Sequence, residues 1–151
     1  TPEAGKKYLS FAGCLQFPFS TGTIHITSTD ATVQPAIDPG YFTDDFDLDV
    51  LVSTVKFIRK VARTGGFQEM LGSEVDPGTD IQSDSDILEY IKNFGNSEFH
   101  TVGSAAMLPR EKGGVVSPEL KVYGTDNIRV VDLSILPLQI SAHPMSTLYG
   151  V

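Results

Sequence analysis

An α+β fold is what this sequence predicts, and three observations predict it. Apolar residues recur at steps of three and four in two stretches, Leu48, Leu51, Val55, Ile58, Ala62 and then Ile87, Leu88, Ile91, Phe94, the spacing of one helix face. The run Thr23-Ile24-His25-Ile26-Thr27 alternates and is rich in β-branched side chains, which is the period of a strand. The chain has 151 residues, 40% of them hydrophobic and 20% charged, a composition of folded rather than disordered proteins. At that length a chain buries roughly 68–70% of its unfolded surface, enough for a core.

Taken in order, Tyr8 to Phe17 mixes aromatic and apolar residues and reads as a strand, and Pro18 to Gly22 as a turn. Thr23 to Thr27 reads as a half-buried strand with Ile24 and Ile26 on one face and His25 on the polar face. Residues 30–42 hold Pro35 and Pro39 and read as a loop. Asp44 or Asp45 caps the first helix, Arg59, Lys60 and Arg63 suit its negative C-terminal end, and Gly65-Gly66 is expected to stop it. Phe67 to Leu71 reads as one helical turn and residues 72–82 as a loop. Ser83, Asp84 or Ser85 begins the second helix, which Gly95-Asn96 stops, and its stripe, Phe94 included, is expected in the core. Residues 109–118 read as a loop, and Val122-Tyr123-Gly124 and Ile128 to Val131 as short strands, the second ending at Asp132. Pro144 stands as a first-turn proline opening a last short helix.

Net charge is −8, so the phosphate backbone of nucleic acid and anionic membrane surfaces are disfavoured partners. No stretch has the roughly 18 apolar residues of a membrane span. Cys14 is the one cysteine, which precludes an internal disulfide, and in its apolar surroundings it reads as a small buried hydrophobe. A metal site is not expected, because the three histidines form no short His-x-x-x-His pair and no Cys/His cluster. Neither Gly72-Ser73 nor Gly103-Ser104 lies in a Gly-x-Ser-x-Gly elbow, which disfavours a serine hydrolase. No Walker motif and no Gly-x-Gly-x-x-Gly dinucleotide fingerprint is present.

Two histidines are candidates for chemistry. His100 stands beside the small residues of Gly103-Ser104-Ala105-Ala106, which let a planar ligand come close. His143 precedes a helix start, where backbone N–H groups are free to meet a polar or anionic group. On these grounds alone, two structural histidines are the favoured reading.

The tail tips that balance. The run Phe99-His100-Thr101-Val102-Gly103-Ser104-Ala105-Ala106-Met107-Leu108-Pro109 resembles the C-terminal histidine motif of the glucose–methanol–choline (GMC) oxidoreductases. Gly113 to Gly124, Asn127 to Pro137 and Ser141-Ala142-His143-Pro144-Met145-Ser146-Thr147-Leu148-Tyr149-Gly150 continue it in the same order and spacing. Gln16 to Ile26 is similar, more loosely, to the family's Pro-x-Ser-x-Gly strand, and residues 35–42 to the segment that follows it. Thr21 departs from the pattern: the family usually has arginine there. Within the family, the chain is similar to aryl-alcohol oxidases and FAD glucose dehydrogenases.

The resemblance implies an antiparallel sheet flanked by helices as a substrate-binding lobe, residues 1–98. Residues 99–151 would then be a catalytic-histidine segment returning to the FAD-binding lobe. It implies FAD as cofactor and a small-molecule alcohol as substrate. His100 matches the histidine that faces flavin N5 and the alcohol oxygen, and His143 the second catalytic position, which is histidine or asparagine. Asp132, with Leu133 after it, matches the acidic position near the ribityl–pyrophosphate region. His143, Pro144 and Met145 match positions at the pyrimidine edge of the flavin. The chemistry suits the residue types: a neutral imidazole, with an ordinary pKa of about 6.5, can take a hydroxyl proton while the flavin takes hydride. Because the dinucleotide fingerprint is missing from the sequence, the chain is expected to be part of a longer or split enzyme. It would be inactive alone and completed by an N-terminal FAD-binding chain or segment. Two other classes stay open: a lyase or cyclase of the same fold without net redox, and a non-catalytic interaction domain.

Overall fold

The structure, a computed structural model, describes residues 3–151. It consists of helices and a small antiparallel sheet, distributed over two compact units. One comprises the segment ending at Ser20 with Phe42–Asn96, the other Thr21–Tyr41 with Ser97–Val151.

The first unit is built on helix α1, Asp45–Ala62. The Asp44 carboxylate caps it by accepting from Phe46 N at 3.0 Å, and Asp45 and Asp47 lie in its first turn, where the dipole favours negative charge. The helix stops two residues before the expected glycines. Arg63 N and Thr64 N turn back to Lys60 O and Val61 O, and the Thr64 hydroxyl also donates to Val61 O at 2.7 Å, which uses up the last carbonyls. Extended Thr64 then caps α2, Gly65–Met70, so the two glycines begin a helix instead of ending one. Helix α3, Asp84–Phe94, opens with a reciprocal capping box between Ser83 and Asp86. It closes at Gly95, where a Cβ would lie 2.5 Å from Ile91 O.

Leu48 and Val52 of α1 and Ile87 and Ile91 of α3 form the buried core, flanked by Phe42, Leu51, Val55, Ile81, Leu88 and Tyr90. Phe94 does not join it. Its ring is 70% exposed and stacks on Tyr90 one turn back, with centroids 5.0 Å apart. The run Tyr8 to Phe17 is not a strand, since the described residues contain one sheet and it lies elsewhere. Side-chain packing on helices holds the run instead. Phe11 meets Phe67 edge to face at 5.3 Å, and Gly13 sits so close to Thr54 and Ile58 that a Cβ would be 2.5 Å from Thr54 Cγ2. Cys14, in that run, is exposed rather than buried.

Among the described residues Asp47 is the one buried carboxylate, 2% exposed. Its two oxygens accept from Phe19 N and Ser20 N, each at 2.9 Å, and so fasten the preceding segment to the start of α1. Burial alone would raise its pKa, but hydrogen bonds from Ser20 and Phe19 outweigh burial and hold it below the ordinary 3.8. A carboxyl with a depressed folded pKa stabilises the fold above the unfolded value and loses that contribution as pH falls through the folded one. Asp47→Asn is therefore expected to destabilise this unit by about 1–3 kcal/mol at neutral pH, since one amide cannot accept from both N–H groups. The difference from the parent should shrink below pH 3.8. Urea unfolding followed by circular dichroism at pH 7 and pH 2.5 checks both statements.

The second unit holds the sheet. Strand β1, Thr23–His25, pairs antiparallel with β2, Ala36–Asp38, in the register Thr23 with Asp38, Ile24 with Ile37 and His25 with Ala36. β2 lies inside the stretch expected to be a loop: Pro35 and Pro39 on either side mask a three-residue strand. Ile24 and Ile26, expected on a half-buried strand face, are exposed, Ile26 by 89%. Val122 and Lys121 make only isolated bridges, to Val116 and Arg129. Leu120 and Gly124, with φ of +64° and +81°, bend the chain on both sides and keep these short runs from extending into strands. The core is Ala106, Val116 and Ile135. Helix α4 is one turn, Met145–Leu148; Pro144 stands just before its first residue and accepts from Leu148 N at 2.9 Å.

Candidate functional site

The second unit brings His100 and His143 together. His143 Nδ1 lies 3.3 Å from His100 Nε2, the ring centroids are 5.1 Å apart, and the planes are nearly perpendicular at 89°. One ring therefore donates to the other, and which one does so depends on the tautomer. The outward nitrogens, His100 Nδ1 and His143 Nε2, meet no protein partner among the described residues. His100 is half-buried and His143 exposed, so an incoming small molecule can reach the pair.

Local structure accounts for the placement. Phe99 adopts φ +60°, a left-handed conformation that bulky residues rarely take, and its N–H donates to Ser97 Oγ at 2.9 Å. The chain turns sharply there and delivers His100. Past it, Ala105 N and Met107 N donate to Ser134 O and Ile135 O at 2.9 and 2.8 Å, pinning the small-residue run beside residues 134–135. Asp132 starts that second segment: Oδ1 accepts from Ser134 N at 2.8 Å and caps the 3-10 turn Leu133–Ile135.

The other site residues expected from the sequence lie apart from the ring pair in hydrogen-bonding terms. Among the described residues no hydrogen bond joins Asp132, Leu133, Pro144 or Met145 to either imidazole. Asp132 and Met145 are exposed, Leu133 is half-buried, and Pro144 is buried. The N–H groups of Met145 and Ser146 have no partner among the described residues. Gln139 is the residue sequence reasoning missed. Its Nε2 donates to His100 O at 2.5 Å and its Oε1 accepts from Ile140 N at 3.1 Å. The signal was a lone carboxamide between the apolar neighbours Leu138 and Ile140, four residues before His143. No group of three or more His, Cys, Asp or Glu side chains converges to hold a metal among the described residues.

Comparison with known proteins gives a consistent picture. A sequence family described as GMC oxidoreductase matches residues 18–151. The GMC oxidoreductase family protein Mala s 12 of Malassezia sympodialis is 40% identical over 143 residues, 95% of this chain and 23% of that protein. An FAD-dependent oxidoreductase from Chaetomium thermophilum superposes with a TM-score of 0.78 at 36% identity, covering 85% of this chain and 22% of the other. A fungal aryl-alcohol oxidase superposes with a TM-score of 0.75 at 34% identity, covering 89% and 22%. The chain thus spans about a quarter of the length of the relatives it matches.

Proposed function

Because this chain belongs to the GMC oxidoreductase family, whose cofactor is FAD, we propose that it is the histidine-bearing part of an FAD-dependent alcohol oxidase or dehydrogenase. The observation that carries this reading is the contact between His100 Nε2 and His143 Nδ1 at 3.3 Å, with both outward nitrogens open to an incoming ligand.

The donor set fits the flavin ring. Two adjacent imidazoles and the unpartnered N–H groups of Met145 and Ser146 offer hydrogen bonds to an electron-rich heterocycle. His143 and Met145 would hold the ring edge, and buried Pro144 would fix the chain direction between them. Asp132 and Leu133 would serve the ribityl–pyrophosphate side; Asp132 caps Ser134 through Oδ1, and its Oδ2 has no partner among the described residues. Residues 1–98 would form the substrate-binding lobe and 99–151 the segment that completes the FAD lobe.

In the reaction, His100 takes the hydroxyl proton at its outward Nδ1, while its Nε2–H donates to His143 Nδ1 and so shares the charge of the resulting imidazolium. Bound FAD supplies the acceptor for the hydride that leaves the carbinol carbon, and the alcohol becomes an aldehyde or ketone. An N-terminal FAD-binding chain or segment completes the enzyme. The large apolar side chains that this unit leaves open, among them Ile26, Phe99, Leu138 and Tyr149, support such a covering partner.

Visible absorption and intact mass of the native preparation test the proposal. A flavin band near about 450 nm, bleached anaerobically by alcohols, is the expected result, together with mass beyond the 16.3 kDa of this chain. A preparation that holds flavin but is not reduced by any alcohol would sink the redox reading.

A further inference from the structure

Gln139 ties together the two backbone segments that carry the imidazoles. Its carboxamide spans from the His100 carbonyl, which accepts from Nε2 at 2.5 Å, to the Ile140 amide, which donates to Oε1 at 3.1 Å. The two tied residues lie far apart in sequence, yet one is a member of the pair and the other stands three residues before its partner. Only a group with a donor and an acceptor on one rigid plane can do this; glutamine has both at every pH, whereas a glutamate of the same length has the donor only when protonated. The site needs such a brace. Phe99, just before His100, is held at φ +60°, a conformation a free chain would leave. The His100 carbonyl has no other hydrogen bond among the described residues.

We propose that Gln139 is the positioning residue of the site: its carboxamide sets the backbone separation that brings His100 and His143 into contact, without touching substrate or flavin. The proposal rests on the catalytic reading of His100, and it adds a residue to that reading. Proton transfer falls off steeply when the base is displaced by a fraction of an ångström, so the loss appears in kcat more than in KM.

Gln139→Leu keeps the bulk and removes both hydrogen bonds. In the complete flavoprotein it is expected to lower kcat about tenfold, with KM and flavin content near those of the parent. A second readout needs no turnover: the nuclear Overhauser contact between the two imidazole rings, present in the parent, should be lost. Gln139→Glu supplies the rescue. As a carboxylate it faces the His100 carbonyl with an acceptor; once protonated it donates there and accepts from Ile140 N as glutamine does. The ratio of Gln139→Glu to parent activity, taken at each pH so that pH effects common to both proteins cancel, should therefore rise as pH falls from 8 toward the ordinary glutamate range, about 4.3. A flat ratio, an unchanged kcat in Gln139→Leu, or an intact ring contact in that variant overturns the brace. His100→Ala separates the two failures. If it turns over like the parent, the catalytic reading falls and the brace with it. If it is inactive while both Gln139 variants behave as the parent, only the brace is lost.

Discussion

His100→Ala slows reduction of the bound flavin by alcohol about 10²- to 10⁴-fold, the range over which a positioned general base contributes. The measurement is anaerobic stopped-flow absorption on the complete flavoprotein, with flavin content and unfolding midpoint as controls. His100 is half-buried and outside the hydrophobic core, so its truncation leaves the packing of Ala106, Val116 and Ile135 in place. The loss is bounded because His143 remains and can take the proton less well. His143→Asn is the complementary variant: asparagine still offers a donor and an acceptor, and it is expected to stay within about tenfold of the parent. This order of effects separates a base from an orienting partner. Equal losses for the two variants would mean that they act as one unit, and a His100→Ala rate within threefold of the parent would remove His100 from the proton transfer.

The parts of this molecule that could be read from sequence are those whose cause is local. Both long helices announce themselves by period and cap: Leu48 with Val55, Ile87 with Ile91, Asp44 before α1, Ser83 with Asp86 at α3. The histidine pair was legible for a different reason. Four separated motifs agreed in order and spacing, and that agreement made sense of two ring residues whose neighbours alone said little. What sequence could not supply was partnership. The aromatic run at Tyr8 to Phe17 has strand composition, but among the described residues no second strand stands beside it, and packing on α1 and α2 decides its shape. β2 has poor strand composition and exists because β1 lies opposite. Asp47 and Gln139 are single polar residues whose roles depend on backbone groups 27–28 and 39 positions away, and no short-range pattern points to such groups.

Gly113 and Gly114 stand side by side in the loop between Pro109 and Val116, and their substitution is expected to have opposite severity. Gly113 takes φ +81° at the end of the turn Arg110–Lys112, and a Cβ there would meet nothing within 4 Å. Its replacement by alanine costs only the left-handed penalty, about 1–2 kcal/mol. Gly114 is different in kind. A Cβ would lie 1.8 Å from Leu108 O, 2.5 Å from Leu108 C and 3.0 Å from Leu108 Cα, all backbone atoms that cannot rotate away. Relief requires moving Leu108, whose carbonyl accepts from the Tyr123 hydroxyl at 3.1 Å. It also strains the Val115 N to Ala106 O bond at 2.9 Å beside buried Ala106 and Val116. Overpacking a fixed backbone contact, with loss of these bonds, is expected to cost at least about 3 kcal/mol. Denaturant midpoints and soluble yield of the complete protein decide it. Gly114→Ala should unfold this unit or lower its midpoint far more than Gly113→Ala. Since Met107 N is held by Ile135 O next to the same core, flavin reduction should fall with it. A Gly114→Ala protein as stable as Gly113→Ala would mean that residues 108–114 can open without disturbing the run that follows His100, and the rigidity assigned to that run would be wrong.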